Sequence, residues 1–335
     1  MSLWTELSIE VLLKKRLRTK FGQHNGDEIY ADYISARREL LENLLNEIKS
    51  NEPQLSDHGP THIHDVLQKA YELAGDELKN IPAIELYILC ISILFHDVGN
   101  FDGRQKHNLK IAKIYDLVRN KQHRFSTERS AVIAIAGAHT GFCKKGTKDT
   151  LKELANQGVF SNPVRSQQIS ALLRFADELA EGPQRTSTFM QEFKRYDSNS
   201  LPYHRLANVT TYTVDRENHR IQADYDITIE IDENNTITDG SIPLENLLQL
   251  INQRILKVNE ERKYCRYYCD LLKPFREISI TFRFIYEHEY LDLDLPPLIL
   301  NDLIIPGEKA DNICEPNHSA DNIFSKINTA LEKLA

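Results

Sequence analysis

The sequence predicts a mainly α-helical fold followed by a small α+β lobe. From residue 5 to about residue 195, apolar side chains recur at the spacing of amphipathic helices. After Pro202, two β-branched runs alternate as strands do. A chain of 335 residues is long enough for two domains. We therefore expect a helical domain over residues 1–200 and an α+β lobe over residues 201–335.

The helical domain begins with a segment over residues 28–49, where Ile29, Tyr33 and Leu40 fall near one face. Glycine or proline residues separate the helices that follow. These helices are predicted over residues 62–75, 83–97, 107–120, 127–138, 147–157 and 163–181. No strand-like alternation is visible in this part, so we expect it to be helical throughout.

The second lobe is predicted to begin with a β-hairpin over residues 204–231, whose strands are "RLANVTTYTV" and "RIQADYDITIEI". A helix over residues 242–272 and a strand over residues 277–286 follow. The segment Leu291–Pro316 is rich in proline and aspartate and is predicted to be a surface loop. A last helix is expected from about residue 320.

Composition and charge narrow the class of protein. The chain is 41% hydrophobic and 27% charged, which is typical of a soluble globular protein. Its net charge of −8 argues against a surface that holds long nucleic acid. The five cysteines contain no CxxC pair, which indicates a reducing compartment. We expect this compartment to be the cytoplasm, and the apolar run Ile84–Phe95 is shorter than the roughly 20 residues of a membrane span, so we expect no membrane contact.

The stretch "ILFHDVGN" ends an apolar helix with His96 and Asp97. A carboxylate at this end faces the negative pole of the helix dipole, at a cost of about 0.3–1 kcal/mol. An unpaired carboxylate at the edge of an apolar core would cost several kcal/mol more. No lysine or arginine follows before Arg104. The sequence therefore predicts a compensating cation, either from a distant side chain or from a metal.

Residues of the same types recur near the ends of other apolar helices. They are His62, His107, His139 and Asp177. Together with His96 and Asp97, these groups are enough for two divalent ions that share a carboxylate, although spacing alone does not bring them together. Mixed histidine and aspartate ligands favour Mn, Fe, Co or Ni, with Mg as a further option.

The ordered set His62, His96-Asp97 and Asp177 resembles the H…HD…D signature of the HD-domain superfamily of metal-dependent phosphohydrolases. "LFHDVGN" and "LLRFADEL" are similar to its second and last motifs, and the resemblance covers residues 56–182. The two-metal members carry extra histidines between those motifs. There is no Gly-Tyr-Pro motif after His139, so specificity for cyclic dinucleotides is not implied. "SDHGPTH" gives a weaker likeness to HD proteins of bacterial conflict and signalling systems.

The resemblance implies a fold, a ligand set and a reaction. The fold is an HD-type helical bundle. One ion would be held by His62, His96, Asp97 and Asp177, and Asp97 would bridge to a second ion held by His107 and His139. A metal-activated water would attack a small phosphorylated substrate, with a nucleotide as our first expectation. His58 is a candidate acid on the substrate side. The candidate cations for substrate phosphates are Arg104, Lys144, Lys145, Lys148 and Arg174.

Several alternatives stay open. His107 and His139 could contact substrate or solvent, with His123 in place of His107 as a ligand. The lysines of "KKGTK" could be a solvated loop. The substrate could be single-stranded nucleic acid, or the protein could be a non-catalytic metal- or nucleotide-binding regulatory module. The second lobe could close over the site, shape the substrate pocket or form a homo-oligomer interface.

Overall fold

The computed structural model describes residues 4–303, 306 and 317–334, and it divides the chain into two compact units. Unit 1 consists of Met1–Ala180 and Tyr264–Lys273, and unit 2 consists of Glu181–Lys263 and Pro274–Ala335. Helices dominate the described chain, and unit 2 contains a small mixed sheet. The predicted fold class is thereby confirmed. Cys314 and most of the end of the predicted surface loop lie outside the described residues.

Unit 1 is built from helices that bury one apolar face each. They are α1 (Ser8–Phe21), α2 (Gln23–Glu39), α3 (Leu45–Asn51), α4 (Pro60–Ala74), α5 (Ala83–Phe95), α6 (Ile111–Val118), α7 (Ser126–Gly137) and α8 (Ser166–Leu179). A π-helical turn, Leu40–Leu44, connects α2 to α3. The predicted helix over residues 28–49 is therefore part of a longer helical segment.

Helix α5 forms the centre of unit 1, because every one of its side chains is buried. The segment Ala83–Asp102 is long and apolar enough to cross a membrane, but 94% of its window is buried inside the structure. Its apolar side chains thus pack against protein on all sides. The carboxyl end of this helix carries His96 and Asp97, so a rigid core element positions both.

Two predicted helices in unit 1 differ from the structure. The prediction over residues 147–157 was wrong, because this polar stretch forms only a short 3₁₀ turn, Leu151–Glu153. An antiparallel pair follows, β1 (Gln157–Val159) and β2 (Asn162–Val164). The prediction over residues 107–120 splits into a 3₁₀ turn, His107–Leu109, and α6.

Unit 2 contains a mixed sheet with helices before and after it. Its elements are α9 (Thr188–Glu192), α10 (Leu201–Val209), β3 (Thr210–Asp215), β4 (Arg220–Ile231), β5 (Ile237–Thr238), β6 (Glu277–Tyr286), β7 (Glu289–Tyr290), β8 (Leu298–Asn301) and α12 (Ala320–Leu334). The strand order is β3-β4-β6-β7, and β4 pairs with β6 in parallel. Helix α11 (Leu244–Tyr268) lies between β5 and β6 in the chain.

The predicted hairpin starts later in the structure than in the sequence prediction. Residues 201–209 form helix α10, which has Pro202 in its first turn, a position that favours proline. Only Thr210–Asp215 pairs with β4, where the buried and exposed positions begin to alternate. The predicted 204–231 hairpin was therefore wrong over residues 204–209 and right over the paired strands that follow.

A buried polar network joins α5, α6 and α7. Glu128 accepts hydrogen bonds from Tyr87 at 2.7 Å, from Tyr115 at 2.7 Å and from Arg119 at 2.6 Å. The Arg119 guanidinium also donates to the carbonyl of Asp32 at 2.7 Å. Because every partner is satisfied, the network fixes the relative position of three helices of unit 1.

A Tyr115→Phe variant should be less stable than the wild type by about 1.5–3 kcal/mol, because it loses a buried hydrogen bond to the charged Glu128. Urea denaturation measures this difference. The matched control is Tyr267→Phe, whose ring is 81% exposed and whose effect should stay within about 0.5 kcal/mol. Equal effects of the two variants would contradict a structural role for the network.

Candidate metal centre

The predicted ligands lie at the ends of buried helices. His62 lies in the first turn of α4, which begins at Pro60, where the fixed φ of proline is favourable. His96 and Asp97 follow α5 directly, and Asp177 lies in the last turn of α8. Each of these side chains therefore projects from an apolar helix at the edge of the core.

The glycine after the His96-Asp97 pair has a steric function. A Cβ atom on Gly99 would lie 2.0 Å from the carbonyl oxygen of His107. Only glycine allows the two backbones to approach this closely. The contact places the turn that carries His107 directly against the turn that carries Asp97.

Four ligand atoms meet in a first group, which consists of His62, His96, Asp97 and Asp177. His62 Nε2 lies 3.4 Å from Asp97 Oδ2 and 3.1 Å from Asp177 Oδ1. His96 Nε2 lies 3.3 Å and 3.5 Å from the same two oxygens. Ligands about 2.1 Å from one ion stand about 3.0–3.4 Å apart in octahedral or tetrahedral geometry. The spacing of the group therefore fits a single divalent ion.

A second group uses the other oxygen of Asp97. His107 Nε2 lies 3.1 Å and His139 Nε2 lies 3.5 Å from Asp97 Oδ1. The two imidazole nitrogens are 3.3 Å apart. Asp97 belongs to both groups, with Oδ2 facing the first and Oδ1 facing the second. This arrangement could hold two divalent ions with Asp97 between them.

Backbone carbonyls orient three of the four histidines. His96 Nδ1 donates to Ile93 O at 2.8 Å, His107 Nδ1 to Arg104 O at 3.1 Å, and His139 Nδ1 to Ala136 O at 2.5 Å. A carbonyl only accepts, so Nδ1 carries the proton and Nε2 carries a lone pair in each neutral ring. The lone pairs of His107 and His139 therefore face each other at 3.3 Å, and a cation between them would remove their repulsion.

His62 is oriented differently. Its Nδ1 atom is buried without a hydrogen-bond partner among the described residues. Its Nε2 atom lies 3.3 Å from His96 Nε2, so this ring also directs a nitrogen into the first group. A buried water is the partner that we expect for Nδ1.

The protonation properties of the centre favour a positive charge between the carboxylates. Burial opposes the charged form of His96, but Asp97 and Asp177 outweigh it and raise the pKa of His96 well above its ordinary value. Burial also opposes ionisation of both carboxyls, but the surrounding histidines lower the pKa of Asp97 and the pKa of Asp177 well below the ordinary value. A metal cation would replace the proton on His96, because a histidine ligand must be neutral.

The sequence model of the HD-CE family matches residues 52–257, which is more than half of the chain. The chain belongs to the HD-CE family. This match confirms the resemblance to HD-type domains that the H…HD…D pattern suggested. No curated protein and no solved structure matches the chain. An HD-CE domain with this histidine and aspartate cluster supports a metal-dependent hydrolase in general.

Two further predicted residues lie beside the candidate ligands of this HD-CE protein. His58 is buried, and its Nε2 atom lies 3.7 Å from Asp97 Oδ2. Arg104 Nη1 donates to the same nitrogen at 3.4 Å. His58 Nδ1 donates to the carbonyl of Ser56, so this ring also has a fixed orientation. His58 and Arg104 therefore place a polar ring and an exposed guanidinium next to the shared carboxylate.

Other predicted residues lie in different environments. Lys144, Lys145 and Lys148 are exposed in the loop that follows His139. Arg174 is only 7% exposed and donates to Thr150 Oγ1 at 3.0 Å, so its guanidinium is engaged inside the protein. His64 pairs with Asp65 at 3.5 Å, and His123 is exposed. The second ligand group contains His107 and not His123, so the structure does not support the alternative in which His123 replaces His107 as a ligand.

Two polar residues beside the centre had no signal in the sequence. Asn108 follows His107, and its amide contacts the backbone on both sides of His139. Thr150 donates to the carbonyl of Ala138. Single asparagine and threonine residues in polar loops are common in any protein. Only the structure shows that these two contact the segment that carries a candidate ligand.

Proposed function

We propose that this HD-CE protein is a metal-dependent phosphohydrolase that cleaves a phosphate ester bond of a nucleotide or a related small phosphorylated substrate. The observation that carries the proposal is the shared carboxylate of Asp97, whose two oxygens face two separate ligand groups. Bound ions would lower the pKa of a water and neutralise charge on the phosphoryl oxygens. The four histidines favour Mn, Fe, Co or Ni as the metal.

The side chains beside the metal groups have their own tasks in this proposal. Arg104 presents an exposed guanidinium next to His58, where it could bind a phosphate oxygen of the substrate. His58 lies between Arg104 and Asp97, so it would contact the substrate on the same side as Arg104. His62, His96, Asp97 and His139 are buried, and burial strengthens the charge interactions at these side chains.

The test is a screen of phosphorylated compounds against metal-reconstituted protein. The compounds are nucleoside mono-, di- and triphosphates, cyclic dinucleotides and short single-stranded oligonucleotides, and the blank is an Asp97→Asn variant. Turnover of a nucleotide that is absent in the blank would support the proposal. Equal turnover in both proteins would contradict it.

Single-stranded nucleic acid is a second candidate substrate, favoured by the three exposed lysines Lys144, Lys145 and Lys148 after His139. In the screen, cleavage of oligonucleotides that weakens steeply with salt would favour this candidate over a small nucleotide. Tight nucleotide binding without turnover of any compound would instead indicate a regulatory module.

An Arg104→Gln variant should raise the KM for the substrate by about 10–100-fold, which corresponds to the roughly 1.5–3 kcal/mol of a charged hydrogen bond. Its metal content should stay that of the wild type, because Arg104 donates to His58 and is not a ligand. Steady-state kinetics and elemental analysis measure the two quantities. The control is Lys106→Gln, an exposed cation in the same loop, with an expected change of about twofold or less. A KM that changes equally in both variants would exclude a specific role for Arg104.

A further inference from the structure

The backbone around His139 is held by side chains that neither ligand group contains. Asn108 Nδ2 donates to the carbonyl of Gly137 at 3.1 Å and to the carbonyl of Thr140 at 3.3 Å. These carbonyls lie on either side of His139. Since Asn108 directly follows His107, its amide ties the turn of one histidine to the turn of the other.

Two glycines near His139 leave room for Asn108, Gly141 for its side-chain amide and Gly137 for its backbone carbonyl. A Cβ atom on Gly141 would lie 2.8 Å from Asn108 Nδ2, and one on Gly137 would lie 3.3 Å from the carbonyl oxygen of Asn108. Gly141 also has a φ of +93°, which a side chain would strain. The close approach of the two turns is therefore built into the local sequence.

Thr150 holds the same backbone from another direction. Its hydroxyl is buried and donates to the carbonyl of Ala138 at 2.6 Å, and this carbonyl belongs to the peptide unit that leads into His139. The same hydroxyl accepts a hydrogen bond from Arg174 Nη1 at 3.0 Å. One donor and one acceptor position of Thr150 are thereby used, so its rotamer is fixed.

Arg174 connects this threonine to the helix that carries Asp177. It lies one turn earlier on α8, and its guanidinium stacks 4.8 Å from the ring centroid of Tyr264. Tyr264 in turn donates to Asp149 Oδ1 at 3.0 Å. A guanidinium held in this way is directed toward Thr150. This contact differs from the substrate-binding role that the sequence predicted for Arg174.

We propose that Asn108, Thr150 and Arg174 are positioning residues that hold His139 against His107 and so set the affinity of the second ligand group for its ion. The proposal rests on the two-ion centre of the proposed function. Removing a residue that orients a metal ligand commonly lowers metal affinity or activity by about 10–100-fold. The first ligand group shares only Asp97 with the second, so its affinity should change much less.

The test compares Thr150→Val with Thr150→Ser. Each metal-free protein is titrated with Co²⁺, and binding is measured from the visible spectrum of the bound ion and by equilibrium dialysis. Wild-type protein should bind two ions. Thr150→Val, which keeps the shape but loses the hydroxyl, should bind the second ion about 10–100-fold more weakly. Thr150→Ser should bind it within about threefold of the wild type, because it keeps the hydroxyl.

An Asn108→Ala variant provides a second test that does not depend on the folding of the first. It should weaken the second ion in the same way, because the turns of His107 and His139 lose their amide bridge. The melting temperature of each metal-free variant shows whether it is folded. Two ions bound with wild-type affinity by folded Thr150→Val or by folded Asn108→Ala would overturn the positioning role. A wild type that binds no second ion would overturn both this role and the two-ion centre.

Discussion

An Asp97→Asn variant should bind neither ion tightly, and its reaction rate should fall by about 10³-fold or more. Asp97 Oδ2 lies 3.3 Å from His96 Nε2, and Asp97 Oδ1 lies 3.1 Å from His107 Nε2. The amide keeps the shape of the side chain but removes the negative charge that both ligand groups share. Metal ions stabilise a transition state by several kcal/mol, and about 4 kcal/mol corresponds to roughly 10³-fold in rate.

The measurement combines metal content by elemental analysis with the rate on the substrate found in the screen. Asp76→Asn is the matched control, since the same exchange there affects an exposed carboxylate that pairs with Lys79. We expect this control to retain both metal content and rate. If Asp97→Asn kept two tightly bound ions, the shared carboxylate would not be the centre of the site, and the proposed mechanism would fail.

The candidate ligand residues could be predicted from sequence because each one breaks a local rule. His96 and Asp97 end the most buried helix of the protein with two polar groups. His62 and Asp177 lie near the ends of other apolar helices. A polar or charged residue at such a place is costly unless a partner compensates it, and a cation can do so. The convergence of these residues could not be derived, since they come from different helices, and it was expected only from the resemblance to HD-type domains.

The positioning residues could not be predicted for a different physical reason. Asn108 and Thr150 donate to backbone carbonyls, and every residue in the chain offers such an acceptor. Their partners depend on which turns meet in three dimensions. Arg174 shows the same limit, because a cation one turn before Asp177 suggested a phosphate ligand, while the fold turns it toward Thr150.

The fold shows where helical periodicity is informative and where it is not. Helix α5 is almost entirely apolar and was predicted with nearly its observed limits. The stretch over residues 147–157 contains good helix-forming residues, but it forms only the 3₁₀ turn Leu151–Glu153, and strand β1 begins at its last residue. Helical propensity alone is weak compared with tertiary contacts. The same holds for residues 204–209, which were assigned to a strand but continue a helix begun near Pro202.

Removal of metal with a chelator should lower the melting temperature of the protein. An ion present at 1,000-fold excess over its Kd stabilises the folded state by about 4 kcal/mol. In the chelated protein, the carboxylate of Asp97 stays buried, that of Asp177 stays partly buried, and both lose this cation. Differential scanning calorimetry of reconstituted and chelated protein measures the difference. The Asp97→Asn variant should show almost no difference, since it has little bound metal to lose.

The difference in melting temperature should grow as pH rises. In the metal-free protein, the pKa of His96 is raised well above its ordinary value. The charged ring therefore stabilises the folded state fully at a pH below the pKa of His96 in the unfolded chain. This stabilisation is lost as the pH rises through the pKa of His96 in the folded protein. The carboxylates stay ionised in this range, because the pKa of Asp97 and the pKa of Asp177 are lowered. A proton on His96 thus replaces the metal at low pH but not at high pH. The control is His123→Gln, at an exposed histidine, which should keep this pH dependence. A difference in melting temperature that stays constant with pH would show that the proton and the metal do not compete at His96.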